Sequence, residues 1–421
     1  MRLMALKAII NADVFDGKNE KLKEHSTIVI EDNLVKEITT NNISTEQFDE
    51  IIDASGKTVI PGLTDAHVHL GFSVGSASSA RPDEIAIVGA YAAKEMLYRG
   101  FTTVRDAGGL VYGLKKGIDE GYTEGPRIFP SHAFISQTSG HGDSRSSRAD
   151  YRIVDHVYTE PSLQNGTTII ADGVSEVLRA VRENLFLGAS QIKIMAGGGC
   201  SSIYDPIETV QYTFEEMKAA VDAASDYGTY VMAHLYTPKA MQRAVKAGVK
   251  SLEHGHLLDE ETAKVIAGNG VFLAPMPNFT KPESGFPDEK RQKKMQIVVE
   301  GTFREAELAE KYGINVLFGT DFIFQAPGKG DFQLQDLSHY KKMFGSYKGL
   351  VSATGNIYEL NRLTTYQNPY PDGKIGVLKE GSYADILIVD GNPVQDLDVL
   401  ADKNNLRVII KDGKVYKNTL D

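Results

Sequence analysis

Six residues with metal-binding side chains stand inside otherwise apolar runs of this 421-residue chain: His67, His69, Lys193, His234, His254 and Asp321. Leaving a polar group buried and unpaired in such a run costs on the order of a few kcal/mol, so each needs a chemical reason to be there. His67 and His69 lie two apart in LTDAHVHL. On a strand, positions i and i+2 face the same way, so both imidazoles can reach one ion while Val68 faces the helices. That spacing alone fits a hydrogen-bonded structural pair equally well.

Lys193 is the odd residue of the set. An ammonium between Ile192, Ile194 and Met195 would repel a metal and is costly to desolvate. Carboxylation of its amine by CO2 would instead give an anionic carbamate able to bridge two ions. The alternative is a lysine paired with a carboxylate such as Asp321. Asp321, in FGTD, has the chemistry of a metal ligand that also accepts and returns a proton as general base and acid, although a buried aspartate can simply cap loop amides. Imidazole and carboxylate donors suit zinc first, with manganese, iron or cobalt as alternatives.

These residues require strands to present them. Eight apolar, strand-like runs occur in order: LTDAHVHL, FTTVRDA, RIFPSHAFIS, QIKIMAG, YVMAHLY, VKSLEHG, VFLAPMP and INVLFGTD. Helical periods such as PDEIAIVGAYAAKEMLYRG, TFEEMKAAVDAASDYG and KAMQRAVKAG separate several of them. Eight βα units over residues 61–369 predict an α/β fold, a (β/α)8 TIM barrel whose working residues project from the C-terminal strand ends. A doubly wound open sheet is the alternative.

Residues 1–60 and 370–421 have a different texture, with short β-rich pieces and a Lys-Asp-Gly turn between apolar runs in RVIIKDGKVYKN. They predict one small β-sandwich domain built from both termini. The first apolar stretch, broken by Lys7, reads as a strand and not as a leader. No apolar run approaches the roughly 20 residues of a membrane span.

A net charge of −11 with no clustered basic patch argues against nucleic acid or an anionic membrane as partner. The single cysteine, Cys200, excludes an intrachain disulfide and fits a reducing compartment, the cytoplasm. Self-association into a homo-oligomer is expected.

Five motifs in order, PGLTDAHVHL, QIKIMAGG, VMAHLYT, SLEHGHLLD and LFGTD, together with the tail KIGVLKEGSYADILIVDGNP, resemble the binuclear branch of the amidohydrolase superfamily over essentially the whole chain. The resemblance implies His67, His69 and Asp321 on the more buried ion, His234 and His254 on the second, and a Lys193 carbamate between them. It further implies hydrolysis of a C–N bond through a metal-bridging hydroxide, with Asp321, Tyr236 and His254 as catalytic residues. SQTSGHGDSR, GGGCSSIYDP and AHLYTPKAMQRAVKAG look like the group holding prolidase-like dipeptidases, Xaa-Arg or Xaa-Lys carboxypeptidases and ochratoxinase-like amidases, with imidazolonepropionase more distant. By that resemblance Tyr236 grips the scissile carbonyl and His141 the substrate's terminal carboxylate, assisted by Arg145 and Arg148. Packing alone for the tyrosine and a solvated loop for residues 141–152 are the plainer alternatives.

The expected substrate is a small dipeptide or N-acyl amino acid. A cyclic-amide hydrolase or deaminase resembling imidazolonepropionase is the alternative enzyme, and a binding protein without turnover the non-enzymatic one. His132 and His256 are expected to be structural, His256 facing solvent. The segment NIYELNRLTTYQNPYPDGKIG is expected to reshape the pocket rim, and the loop GNGVFLAPMPNFTKPESGFPDEKRQ to act on substrate.

Overall fold

The computed structural model describes residues 6–72, 80–145, 165–277, 288–323 and 327–420. Strands from both ends of the chain join in one sheet. The N-terminal ones are β1 (Leu6–Val14), β2 (Lys23–Glu31), β3 (Leu34–Thr39), β4 (Glu50–Asp53) and β5 (Thr58–Pro61).

Ten short strands follow: β6 (Leu63–Val68), β7 (Phe101–Asp106), β8 (Arg127–Pro130), β9 (Phe134–Ser136), β10 (Thr168–Ile170), β11 (Ile192–Met195), β12 (Val231–Leu235), β13 (Ser251–His254), β14 (Phe272–Ala274) and β15 (Asn315–Val316). The C-terminal strands β16 (Ile386–Val389), β17 (Leu406–Lys411) and β18 (Lys414–Asn418) then extend the first sheet in the order β18-β17-β16-β5-β1-β2-β3, with β4 also on β1. At the turn joining β17 to β18, Asp412 and Gly413 both take positive φ, 56° and 70°. That is the left-handed pair that a tight two-residue hairpin requires.

Strands β6 to β15 pair in parallel, as β6-β7-β8 and as β10-β9-β11-β12-β13-β14-β15. Backbone bonds also link the two groups at both sides. Ala66 N–H donates to Phe318 O (2.7 Å) and His69 N–H to Phe322 O (2.9 Å), while Ser190 N–H donates to Pro130 O (2.8 Å). Helices between the strands start and stop on local signals. Thr213 and Glu216 form a reciprocal capping box before helix Phe214–Asp226, and Gly248, at φ 105°, ends helix Pro238–Ala247 in the left-handed region. Among the described residues no helix is long and apolar enough to cross a membrane.

Three expectations need correction. The run RIFPSHAFIS is two strands, β8 and β9, because Pro130 cannot donate to a ladder and His132 takes φ 55°. The short strand β10 was absent from the sequence count and pairs with β9. The 355–375 link does not line the pocket rim. Its helix Gly355–Asn361 buries Ile357 and Leu360 against Tyr230, Met232, Phe272 and Leu317. Thr364 Oγ1 donates to Ser190 O and Thr365 N–H to Gly228 O, just before β11 and β12 begin, so the link covers the opposite end of the strands. Residues 278–287, the centre of the Pro- and Gly-rich loop, lie outside the described residues.

His132 itself sits buried between the two strands, its Nε2 3.0 Å from Leu187 O. Burial pushes its imidazole down to about 4, against the opposing effect of that carbonyl. The folded value lies below the unfolded one, so the unfolded chain takes up a proton first. This site's contribution to stability is therefore present above about pH 6.5 and lost as pH falls toward 4, up to ~3 kcal/mol. His132→Asn, which tolerates the left-handed backbone, should unfold at a lower temperature than the parent at pH 7.5. The gap in thermal midpoint should narrow as pH falls to 4.5; a gap independent of pH would contradict this account.

Candidate functional site

The first cluster is built by β6 and the segment after β15. His67, on β6, and His69, one residue past its end, place their Nε2 atoms 3.3 Å apart, while Val68 between them points into the apolar core. Asp321 Oδ1 lies 3.5 Å from His67 Nε2 and 3.2 Å from His69 Nε2. The loop carrying Asp321 is pinned by Asp65, which accepts hydrogen bonds from Thr320 N–H (3.1 Å), Thr320 Oγ1 (2.6 Å) and Gln333 Nε2 (2.9 Å). Burial raises the Asp65 carboxyl to about 7 against those hydrogen bonds. His254 and Asp321 both hold positive φ, 76° and 53°, a strained backbone of the kind found at functional sites.

The second nitrogen of each ring decides what the first can do. His67 Nδ1 lies 2.7 Å from Glu253 Oε2, and His69 Nδ1 lies 2.9 Å from Gly108 O. Both partners only accept, so each Nδ1 carries the proton and, in the neutral rings, each Nε2 presents a lone pair toward Asp321. Burial and the charge of Lys193 hold His67 well below the ordinary histidine range. Burial alone would raise the Asp321 carboxyl; a proton on His69 Nε2 or on His67, together with the charge of Lys193, brings it below the usual carboxylate range instead.

Three electron-pair donors thus converge at 3.2–3.5 Å. Ligands of a tetrahedral ion with bonds of about 2.0–2.1 Å sit roughly 3.3–3.4 Å from one another, so the donor set fits a small divalent cation. A proton on His69 Nε2 could bridge one pair. Only a cation at the centre serves all three.

Lys193 is fully buried on β11, with Nζ 3.4 Å from His67 Nε2. Among the described residues it forms no ion pair with a carboxylate within 4.0 Å, so Asp321 does not neutralise it by direct contact. Burial lowers its amine to about 8, although Glu253 and Asp321 pull the other way.

The next strands, β12 and β13, present His234 and His254 with ring centroids 4.5 Å apart; His254 lies 5.5 Å from His67. Burial drives both imidazoles well below the ordinary range. Their donor atoms do not join a third histidine, cysteine or carboxylate within 4.8 Å among the described residues; His67, His69 and Asp321 do. His141 stacks on His234 at 4.0 Å and 4°, and its Nδ1 lies 3.2 Å from Asp205 Oδ2 and 3.1 Å from Ser202 Oγ. Tyr236 is buried, stacked on His254 at 5.0 Å, with its hydroxyl 3.4 Å from Cys200 Sγ. Arg145 is already engaged by Asp143 through two guanidinium nitrogens. Arg148 lies outside the described residues. His256 is corrected: at 1% exposure it is buried beside Tyr236, and burial takes it down to about 3.

Sequence reading missed the residues behind these. Arg105 and Glu253 are both buried and pair at 2.9 and 3.0 Å. Asp205 accepts from Gly199 N–H (2.8 Å), and the buried Lys294 ammonium donates to the carbonyls of Gly199, Ser202 and Asp205. A signal existed for the first pair, since Arg105 in FTTVRDA and Glu253 in VKSLEHG are charged residues inside strand-like runs that carried no expected role.

Residues 58–416 match the model of the amidohydrolase family. Ochratoxinase of Aspergillus niger is 30% identical over 376 residues, covering 85% of this chain and 75% of its own length. Two solved structures are also similar. A prolidase complexed with N-methylphosphonate-L-proline has a TM-score of 0.88 at 33% identity, over 98% of this chain and 100% of that one. A Xaa-Pro dipeptidase with bound methionine has a TM-score of 0.85 at 31% identity, over the same shares. With a match of this length and these relatives, the chain belongs to the amidohydrolase family and is a hydrolase of amide or peptide C–N bonds.

Proposed function

We propose that this protein is a metal-dependent dipeptidase or amidase that cleaves the C–N bond joining an amino acid to its acyl or aminoacyl partner. The observation carrying the reading is the convergence of His67, His69 and Asp321 at 3.2–3.5 Å, with both Nδ1 atoms committed elsewhere. The relatives named above support the substrate class, a dipeptide or N-acyl amino acid with a free carboxylate.

In this reading the ten parallel strands close into a (β/α)8 barrel of residues 61–369, β8 and β9 serving as one position and β10 lying outside the ring. The Ala66–Phe318 and Ser190–Pro130 bonds support closure. The terminal strands, residues 1–60 and 370–421, form the small β-sandwich around Ile9, Ile28, Ile52, Ile386 and Val408.

His67, His69 and Asp321 would hold one divalent ion, and His234 and His254 a second; zinc suits the donors. Lys193, once carboxylated, would supply a further anionic ligand. Its amine, lowered to about 8, is neutral in roughly a tenth of the molecules at pH 7; that fraction can attack CO2 through its nitrogen lone pair, forming the N–C bond as one C=O π bond opens onto oxygen and one proton is released. When bound, the ions supply an acidified water and polarise the scissile carbonyl.

The chain's own groups do the rest. Asp321 would accept a proton from that water and return it to the leaving nitrogen. Tyr236, buried against His254, directs its hydroxyl to the developing oxyanion. His141, backed by Asp205, meets the substrate's carboxylate, with Arg145 able to assist once it shares Asp143.

Purified protein should carry up to two divalent ions per chain. Removing them with a chelator should abolish hydrolysis across a library of dipeptides and N-acyl amino acids, and zinc should restore it. Cleavage by the metal-free chain would refute the metal reading, and activity confined to cyclic amides would refute the substrate class. Asp321→Asn should keep most of the bound metal, measured by elemental analysis, while kcat falls by about 10²–10⁴-fold. A variant turning over within tenfold of the parent would remove Asp321 from the proton transfer.

A further inference from the structure

Below the cluster, Glu253 accepts four hydrogen bonds from three donor atoms. Oε1 receives Arg105 Nη2 (2.9 Å) and Ser251 Oγ (2.6 Å); Oε2 receives Arg105 Nη2 (3.0 Å) and His67 Nδ1 (2.7 Å). Arg105 in turn donates to Ala66 O (2.6 Å), Tyr230 Oη (3.2 Å) and Ser251 Oγ (3.0 Å), so the ion pair is satisfied on every side although fully buried. It crosses the strand interior from β7 to β13, 148 residues apart in the chain.

The two histidines of the first cluster are therefore backed unequally. His69 leans on a neutral carbonyl, Gly108 O, and His67 on a carboxylate whose charge Arg105 keeps in place. A carboxylate behind an imidazole fixes its tautomer and orientation and makes the opposite nitrogen a stronger donor. We infer that Glu253 is the positioning residue that presets His67 as the dominant nitrogen donor of the His67–His69–Asp321 cluster, setting that cluster's metal affinity without touching the ion. Arg105 holds Glu253 in place. Ser251 contacts Glu253 on Oε1 only, and its loss leaves the His67 contact intact.

The inference rests on the metal reading above, and one experiment separates the two. Metal-stripped full-length protein is titrated with zinc against a chromophoric chelator, giving two dissociation constants. A parent chain that takes up no zinc overturns the metal reading and this inference with it. If the parent binds, Glu253→Gln should weaken one of the two constants by about 10- to 100-fold and leave the other within twofold. Glu253→Asp keeps the charge facing Arg105 but withdraws from His67, and should shift the same constant in the same direction. Ser251→Ala should leave both within threefold.

Thermal unfolding of the metal-free variants provides the control for folding. Should Glu253→Gln fail to fold, Glu253→Asp decides in its place. Unchanged constants in the folded variant, or equal weakening of both ions together with a lowered unfolding temperature, would overturn the assignment, the latter by showing a general structural role.

Discussion

The structure depends on one electrostatic constraint: Nε2 of His67, Nε2 of His69 and Oδ1 of Asp321 face one another within 3.5 Å, the two rings largely buried and the carboxylate partly so. Electron-pair donors held this close and away from bulk water destabilise the fold unless positive charge lies between them. Neither ring can turn away without giving up the hydrogen bond of its Nδ1, to Glu253 or to Gly108. The neighbouring Lys193 ammonium carries three N–H donors, but of the three acceptors only His67 Nε2 lies within its hydrogen-bond reach, at 3.4 Å, so it does not serve all three at once.

Much of the surrounding architecture maintains this arrangement. Asp65 fastens Thr320 and so sets the position of Asp321, whose backbone is held in the left-handed region. The Arg105–Glu253 pair stiffens the interior behind His67; breaking such a buried pair by removing one partner typically costs about 3–5 kcal/mol. Lys294, on helix Glu289–Tyr312, does the corresponding work for the opposite wall by tying down the carbonyls of residues 199, 202 and 205 behind His141. The strands supply the frame, and these charged pairs supply the aim.

The parallel strands and the cluster of His67, His69 and Asp321 were legible in the sequence for the same reason: each chemical residue interrupts a short apolar run, and the two-residue period of a strand puts His67 and His69 on one face. The terminal sheet was legible from β-rich pieces at both ends and from the Asp412–Gly413 turn. What local pattern could not reveal was long-range pairing. Glu253 reads as one more polar residue until Arg105 and His67, 148 and 186 positions away, are placed beside it. The end of the fold covered by residues 355–365 was hidden likewise, since the contacts of Thr364 with Ser190, of Thr365 with Gly228 and of Ile357 and Leu360 with the cluster around Tyr230 are tertiary. The break inside RIFPSHAFIS did have a local sign, Pro130, outweighed there by the hydrophobic run around it.

In the proposed centre Lys193 would join the ion held by His67, His69 and Asp321 to the one held by His234 and His254, and its chemical state distinguishes a paired-metal centre from a lone ion beside a buried amine. Carbon-13 NMR of the zinc-loaded protein prepared in ¹³C-bicarbonate, compared with Lys193→Ala treated identically, reads that state directly. The account predicts a protein-bound carbamate carbon that is present in the parent, absent in the variant and lost when the metal is removed. A zinc-loaded parent lacking that signal, or a variant retaining it, would contradict the proposed centre.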